Sequence, residues 1–507
     1  MKTLKNLNYV KAIVLAALLL PLTSCNTDSL TDLNQNPTVA EDIDPGFILA
    51  YTQLQTSGER YENWRAQLIY QSTMVQLLSS LPTYWSGDKY LYNSGYSAAL
   101  WDRAYTNYIK DLVNLVEITD PTVEGQEEFV NYNAIARIWK VVAFQRVTDL
   151  YGDIPYFGAG KGFIDQDFFP TYDDQAEIYA DMLNELEIAA GQLTASASAP
   201  EGQDLVYGGD IEKWKRYANS MMLRLALRMV KVDPASAQEW AQKAISGGVM
   251  QSNDDISMIQ HTDGPEGINR NGIGDVFAVD DNPRLSTTFV DWMKEHDDPR
   301  LDKLSFVQSG GPHQGMPNGY DASTITNYDP TYDDHNGDEY SRVEPLFVTR
   351  DSPMVFQTYA EVEFMIAEAI ERGWTSGNAA EHYEAGVRAA MQMYSVFDES
   401  LEVPAGEIDE YLAANPYNPA SWDKQIGEQY WAATFLNFYE AYANWRRTGF
   451  PELTPVDYPG NRSNGTIPRR LIYPTGESSN NPEGYNAAIN RQGPDEFTTR
   501  MWWDVAQ

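Results

Sequence analysis

Apolar residues in this chain recur three and four positions apart over long stretches, the spacing that puts a single apolar stripe on a helix. Phe47 to Ser57 and Tyr61 to Ser80 predict a first helix pair, and Ala98 to Thr119 with Glu127 to Leu150 a second. Tyr172 to Leu193 precedes Ile211 to Lys231, whose run WKRYANSMMLRLALRMV keeps the same interval. Pro234 suits the first position of a further helix that reaches Ile245. The pattern then breaks. From Gly247 to Pro353 the chain is rich in Gly, Asn, Asp and Pro, as in DGPEGINRNGIGD and GGPHQGMPNGYD, and only Leu285 to Glu295 keeps helical spacing. Helical spacing returns from Phe356 to Phe397 and from Ser421 to Trp445. The last stretch, Phe450 to Gln507, is irregular but holds Tyr473, Tyr485, Trp502 and Trp503, so it reads as an ordered wrap on the helices.

The segment AEVEFMIAEAIERGWTSGNAAEHYEAGVRAAM carries a repeat signal. With Ala360 as the first position of a unit of about 34 residues, Ile366, Ala367, Ile370, Ala379, Tyr383 and Gly386 fall where a tetratricopeptide-type helix pair needs alternating large and small side chains. Glu363 and Met391 depart from the pattern, and an unrelated helical hairpin is the alternative. One such unit leaves a face uncovered, so neighbouring pairs are required. The expected fold is mostly α. A tetratricopeptide-like helical-hairpin scaffold, mainly residues 45–245 and 356–446, would carry a large irregular loop-rich ligand-binding half at 247–355 and a C-terminal wrap at 450–507.

The amino terminus follows another logic. Lys2, Lys5 and Lys11 come without an acid, Ala12 to Leu20 are all apolar, and Pro21 precedes Leu22-Thr23-Ser24-Cys25, the order of a secretory signal. The apolar run falls short of the roughly 20 residues that span a bilayer. Cys25 is the only cysteine of the chain and so has no disulfide partner. Leu22 to Cys25 resembles a bacterial lipobox, which implies cleavage before Cys25 and acylation of its sulfur; the lesser alternative is an ordinary cleaved signal followed by an incidental cysteine, against which the spacing and the lack of any other cysteine both count. Each buried acyl methylene is worth about 0.8 kcal/mol, so several chains anchor stably. The expected division is a signal peptide at 1–24, a lipidated polar tether at 25–44 and a single domain at 45–507.

Charge removes one class of partner. The sequence has 73 acidic residues against 36 Lys and Arg, a formal charge of −37 that becomes −40 once the three lysines of the leader are gone. Such a surface repels nucleic acid phosphates. Aromatic residues make up 12%, with 32 Tyr and 13 Trp, so rings in polar loops are worth separating from rings in the core. LPTYWSGDKYLYNSGY, residues 81 to 96, follows a helix and sets Tyr84, Trp85 and Tyr90 beside Asp88, Lys89 and Asn93. Sugar rings pack their C–H faces on aromatic faces while their hydroxyls seek polar partners, and this loop offers both. Between 265 and 345, Asn269, Arg270, Asn318, Tyr320, Tyr328 and Tyr332 extend the candidate ligand surface; Trp292 reads as core.

Other chemistries find less support. Asp149 and Asp153 in RVTDLYGDIPY have the residue type of a glycosidase pair, yet among 73 acids two close in sequence mean little, and Gly152 and Pro155 read as helix termination. Asp334, Asn336 and Asp338 alternate like calcium ligands, but Glu339 stands where an EF-hand needs Gly and Pro345 where it needs Glu, which leaves only an irregular calcium or magnesium site. The five histidines, at 261, 296, 313, 335 and 382, form no zinc motif. GGPHQGMPNG lacks the terminal Lys-Ser/Thr of a phosphate-binding loop.

Taken in order, the lipobox at Cys25, LNQNPT, FQRVTDLYGDIPY, YAEVEFMIAEAIERGW, NWRRTGFPELTP, RRLIYPTGESSNNPEGYNAAI and the ending DEFTTRMWWD resemble the SusD/RagB-like outer-membrane nutrient-binding lipoproteins over nearly the whole chain. The resemblance implies a non-catalytic, cell-surface protein on an outer membrane of the Bacteroidetes type. It would capture a glycan and act as a lid on a SusC-like TonB-dependent transporter. No cofactor is implied. Within such a family a peptide ligand is the alternative, and a secreted glycoside hydrolase is the reading from a different class.

Overall fold

Side-chain caps set the starts of several scaffold helices in the computed structural model, which describes residues 43–162, 165–332 and 336–506. Cys25, the leader before it and the tether as far as Asp42 lie outside the described residues, as does Asp334. Helix α1 (Pro45–Ser57) opens the fold and lies against α2 (Val130–Tyr151), which is buried along most of its length. Asp174 caps α3 (Gln175–Gln192) by accepting from the Ala176 amide, and Asp210 caps α4 (Ile211–Arg228) through the amides of Glu212 and Lys213. Asp233 does the same for α5 (Pro234–Gly247), which begins on the expected proline. Each such cap satisfies amides that a helix start leaves open and is worth about 1 kcal/mol.

Successive helices pack as hairpins. α2 lies on α3, α3 on α4 and α4 on α5. After the loop-rich stretch, which contains α6 (Gly272–Phe277) and α7 (Thr287–Glu295), the hairpins resume with α8 (Tyr359–Glu371) and α9 (Ala379–Gln392). Thr358 and Glu361 form a reciprocal capping box at the start of α8. Gly386 explains how closely this pair approaches, because a Cβ there would stand 2.6 Å from the Phe364 ring. α10 (Trp422–Ala433) packs on α8, and α11 (Phe438–Thr448) packs on α10. The carboxy-terminal stretch adds α12 (Pro482–Gln492) and docks Trp503 fully buried, its indole N–H donating to Asp149 at 3.1 Å.

Two expectations need correction. The helix predicted to run to Ser80 ends at Ser72, and Leu78–Ser79 instead pairs antiparallel with Arg284–Leu285. Inside the loop-rich stretch, helical spacing was expected only near Leu285 to Glu295, yet Gly272–Phe277 and Arg300–Leu304 are also helical. Helices of five or six residues complete less than two turns, too short for a stripe to show. Two further antiparallel pairs, Ser257–Ile259 with Met354–Gln357 and Ser305–Phe306 with Arg342–Val343, stitch the loops to one another.

A buried ionic network ties α4, α8, α10 and α11 together. Arg224 meets Glu361 at 2.6 Å and Arg228 meets Glu440 at 2.7 Å, while the Tyr430 hydroxyl lies 2.9 Å from both carboxylates. Burial pushes Glu361 up, whereas at Glu440 the Arg228 and Arg224 guanidiniums outweigh burial and hold the carboxyl below its usual range.

Glu62 behaves differently. Burial raises it from the usual 4.5 to about 8, although Arg103 Nε stands 3.2 Å away. A carboxyl whose folded value is raised favours the fold below its usual range, and that contribution is lost as pH climbs towards 8. Glu62→Gln carries no such charge. The urea midpoints of the two proteins should therefore coincide near pH 4 and part progressively towards pH 8 with the variant the more stable; a gap independent of pH would contradict the burial argument.

Candidate ligand-binding cleft

Asn271 starts α6 by accepting from the amides of Ile273 and Gly274, and the helix runs directly beneath the strap at 349–350. Only glycine fits at 274, since a Cβ would stand 2.1 Å from the Thr349 carbonyl oxygen. This close crossing forms the floor of a cleft of about 420 Å³, a size suited to a small ligand. Its apolar wall is Phe277, Ala278, Pro283, Phe306, Val343 and Val348. The polar groups are held in pairs. Arg342 lies 2.9 Å from Asp281 and 2.7 Å from Asp338, and Arg350 lies 2.7 Å from Asp275. The hydrogen bond from Arg342 keeps the Asp281 carboxyl below its usual range. Asp263 on the rim pairs with Arg270 at 2.6 Å.

One residue along from Asp281, Asp280 is buried and anchors the neighbouring aromatic. Its Oδ2 accepts from the Tyr84 hydroxyl and from the Trp85 indole, each at 3.0 Å, and Asn282 donates to the same hydroxyl at 3.0 Å. Trp64 meets the Tyr84 ring edge-on, with centroids 6.2 Å apart. Tyr84 is thereby fixed in orientation while 40% of it stays exposed. Tyr84 does not line the cleft itself but is tied to Asp280 and Asn282, which flank the lining residue Asp281, and a rigid, half-exposed ring can stack on a sugar.

The remaining sequence candidates separate into other roles. Trp85 and Tyr90 are fully buried and offer no ring face, which corrects their expected part in a platform. Asp88 is also buried; it accepts from Asn318 Nδ2 at 2.6 Å, the Gly319 amide at 3.0 Å and Lys89 at 3.0 Å. Asp88 and Asn318 therefore clasp two loops rather than face a ligand. Asn93 caps a short helix by accepting from the Tyr96 amide at 3.1 Å. Asn269 uses its carbonyl oxygen to hold the Thr262 amide at 3.0 Å. Tyr320 and Tyr332 pack on a small separate core of Leu81, Met316, Ile325 and Tyr340, with the exposed Tyr328 beside Tyr320. Of the metal candidates, Asp338 pairs with Arg342 and Asn336 sits in a short 3₁₀ turn; among the described residues no group of three or more His, Cys, Asp or Glu is placed to hold an ion. Asp149 and Asp153 are buried among donors, including Gln145 at 3.1 Å and Arg491 at 2.8 Å; neither lines the cleft, and the cavity that Asp149 borders, of about 10 Å³, is too small for a sugar. Trp64, Asp280 and Asn282 escaped the sequence reading; the turn DDNP at 280–283 was the only signal for the two polar residues, and Trp64 is one ring among many on a helical stretch.

An α-helical scaffold that presents a loop-built cleft with one fixed aromatic defines a receptor for small ligands. A family model described as "Starch-binding associating with outer membrane", of SusD-like type, matches residues 36–474. The chain belongs to the SusD-like family. That membership places it among binding proteins of the outer membrane and not among enzymes. Among solved structures, a chitin-binding protein is 34% identical, with 91% of this chain and 100% of that chain covered and a TM-score of 0.82. A SusD-like protein from Bacteroidetes is 26% identical over 92% of this chain and 100% of its own, at a TM-score of 0.80. A chitin-binding SusD homolog from Flavobacterium johnsoniae is 26% identical over 91% and 98%, at 0.77. No protein of curated function matches the chain. No described helix is long and apolar enough to cross a membrane.

Proposed function

We propose that this protein captures an oligosaccharide at the cell surface and delivers it to a SusC-like TonB-dependent transporter, held to the outer membrane through lipid on Cys25. Its hairpins then serve as a tetratricopeptide-like frame. The observation that carries the reading is Tyr84, exposed yet anchored by Asp280 and Asn282, the two neighbours of the cleft residue Asp281. Two of the similar structures bind chitin, so a β-linked N-acetylglucosamine chain is the ligand to try first.

Calorimetric titration with chitohexaose tests this. Tyr84→Ala should weaken binding about tenfold, or ~1.4 kcal/mol, while the fold is retained. Tyr84→Phe keeps the stacking face but loses the bond to Asp280, and should fall between the two. Equal affinity in all three proteins would remove Tyr84 from the site. Binding of peptides with no heat from any glycan would favour the peptide alternative, and shortened sugars after incubation would favour hydrolysis. Mass spectrometry of the membrane-extracted protein should find acyl groups on Cys25.

A further inference from the structure

A second cavity, of about 280 Å³, lies within the helical scaffold and shares no lining residue with the cleft. Three helices end around it. α4 gives way to Val230 and Lys231, Arg372 directly follows α8, and α11 ends on Thr448. The carbonyl ends of helices carry partial negative charge, which favours the gathering of cations there. One buried carboxylate, Glu368, serves two of them. It accepts from Arg447 through both oxygens, at 2.7 and 2.8 Å, and from Arg372 Nε at 2.9 Å. Burial opposes its ionisation, but the two guanidiniums prevail and hold it at about 2.

Lys231 lines the same cavity and makes no hydrogen bond or salt bridge among the described residues. Asp423 stands on the rim, exposed, and accepts from the Lys424 amide. Arg469 and Arg500, which do not line the cavity, also repel the Lys231 ammonium, and Asp504 attracts it. Burial and the nearby Arg447 together bring its amine down to about 8. Three cations thus line the cavity with two carboxylates, Glu368, which both arginines already share, and the exposed Asp423 on the rim, inside a chain of formal charge −37. The half-buried Trp422, with Arg372 5.3 Å from its ring centroid, and Phe450 supply an apolar wall.

We propose that this cavity is a second binding site, for a small organic anion whose carboxylate or phosphate sits on Lys231 and Arg372 and whose body lies against Trp422. The site is independent of glycan capture at the Tyr84 cleft. Its volume admits a molecule of monosaccharide size, so an acidic or phosphorylated sugar fits the description.

The test is calorimetric titration of the full chain with glucuronate, glucose 6-phosphate and inorganic phosphate, with glucose as the neutral control. At least one anion should bind and glucose should not compete with it; whichever anion binds names the head group. Lys231→Met should weaken that binding about tenfold or more and Lys231→Arg should retain it, while chitohexaose affinity is unchanged in both. For wild type, affinity for the anion should fall from about pH 7 to about pH 9 as the ammonium is lost. Silence from all three anions, or affinity unmoved by Lys231→Met, overturns the proposal. If Lys231→Met does not fold, the pH series decides alone, and a flat profile overturns it equally.

Discussion

Trp85→Ala is expected to destabilise the protein by about 3–5 kcal/mol, the usual cost of emptying a fully buried tryptophan site. The ring has no exposed surface, and its indole N–H satisfies the buried Asp280. The turn that follows cannot slide in to fill the gap. Gly87 is already pressed so closely on the preceding helix that a Cβ would lie 2.0 Å from the Ile69 carbonyl oxygen. Loss of the indole also takes one donor from the carboxylate that orients Tyr84, so glycan affinity should fall as a secondary effect. Urea unfolding beside calorimetry separates the two. Trp85→Phe should recover most of the stability without the hydrogen bond. If Trp85→Ala left the unfolding midpoint in place and abolished glycan binding alone, the ring would have to face the ligand, and the packing described for it would be wrong.

Glu440→Gln should be comparably damaging. The substitution preserves shape but removes the counter-charge of Arg228 at 2.7 Å, deep between α4 and α11. Arg228 would keep Asp149 at 3.7 Å as its remaining acid. Removing one partner of a buried ion pair costs about 3–5 kcal/mol, mainly because the other charge stays buried without compensation. Denaturant midpoints measure this. A double replacement, Glu440→Gln with Arg228→Met, should recover part of the loss, whereas additive losses would mean that the two residues do not act as a pair.

The helical stripes announced most of the scaffold because burial on one face imposes its period on the sequence. Gly386 could be picked out for the same reason: its spacing from Ala379 and Tyr383 is the signature of two helices in contact. The cleft was much less legible. Its walls come from positions as distant as Phe277 and Arg350, brought together by strand pairs of two to four residues that leave no alternation to read. The aromatic loop at 81–96 was found, but neighbours in sequence took opposite fates. Tyr84 faces out and Trp85 faces in, and which does which is decided by Asp280, a partner 195 residues from Trp85. Composition could say that the loop held rings and polar groups; it held no information on which of them the core would claim.

The stitching of the loops has a bearing on how the chain matures. Ser286 donates to the Gln76 carbonyl across 210 residues, and Asn318 reaches the Leu78 carbonyl across 240. Contacts so remote form late, since a long closure must precede any reward for it. As the polypeptide emerges amino end first, α1 to α5 are delivered before the ligand trough, which must wait for more than half the protein. A product truncated before the trough would hold only α1 to α5, with Arg224 and Arg228 of α4 lacking Glu361 and Glu440, and would have no receptor.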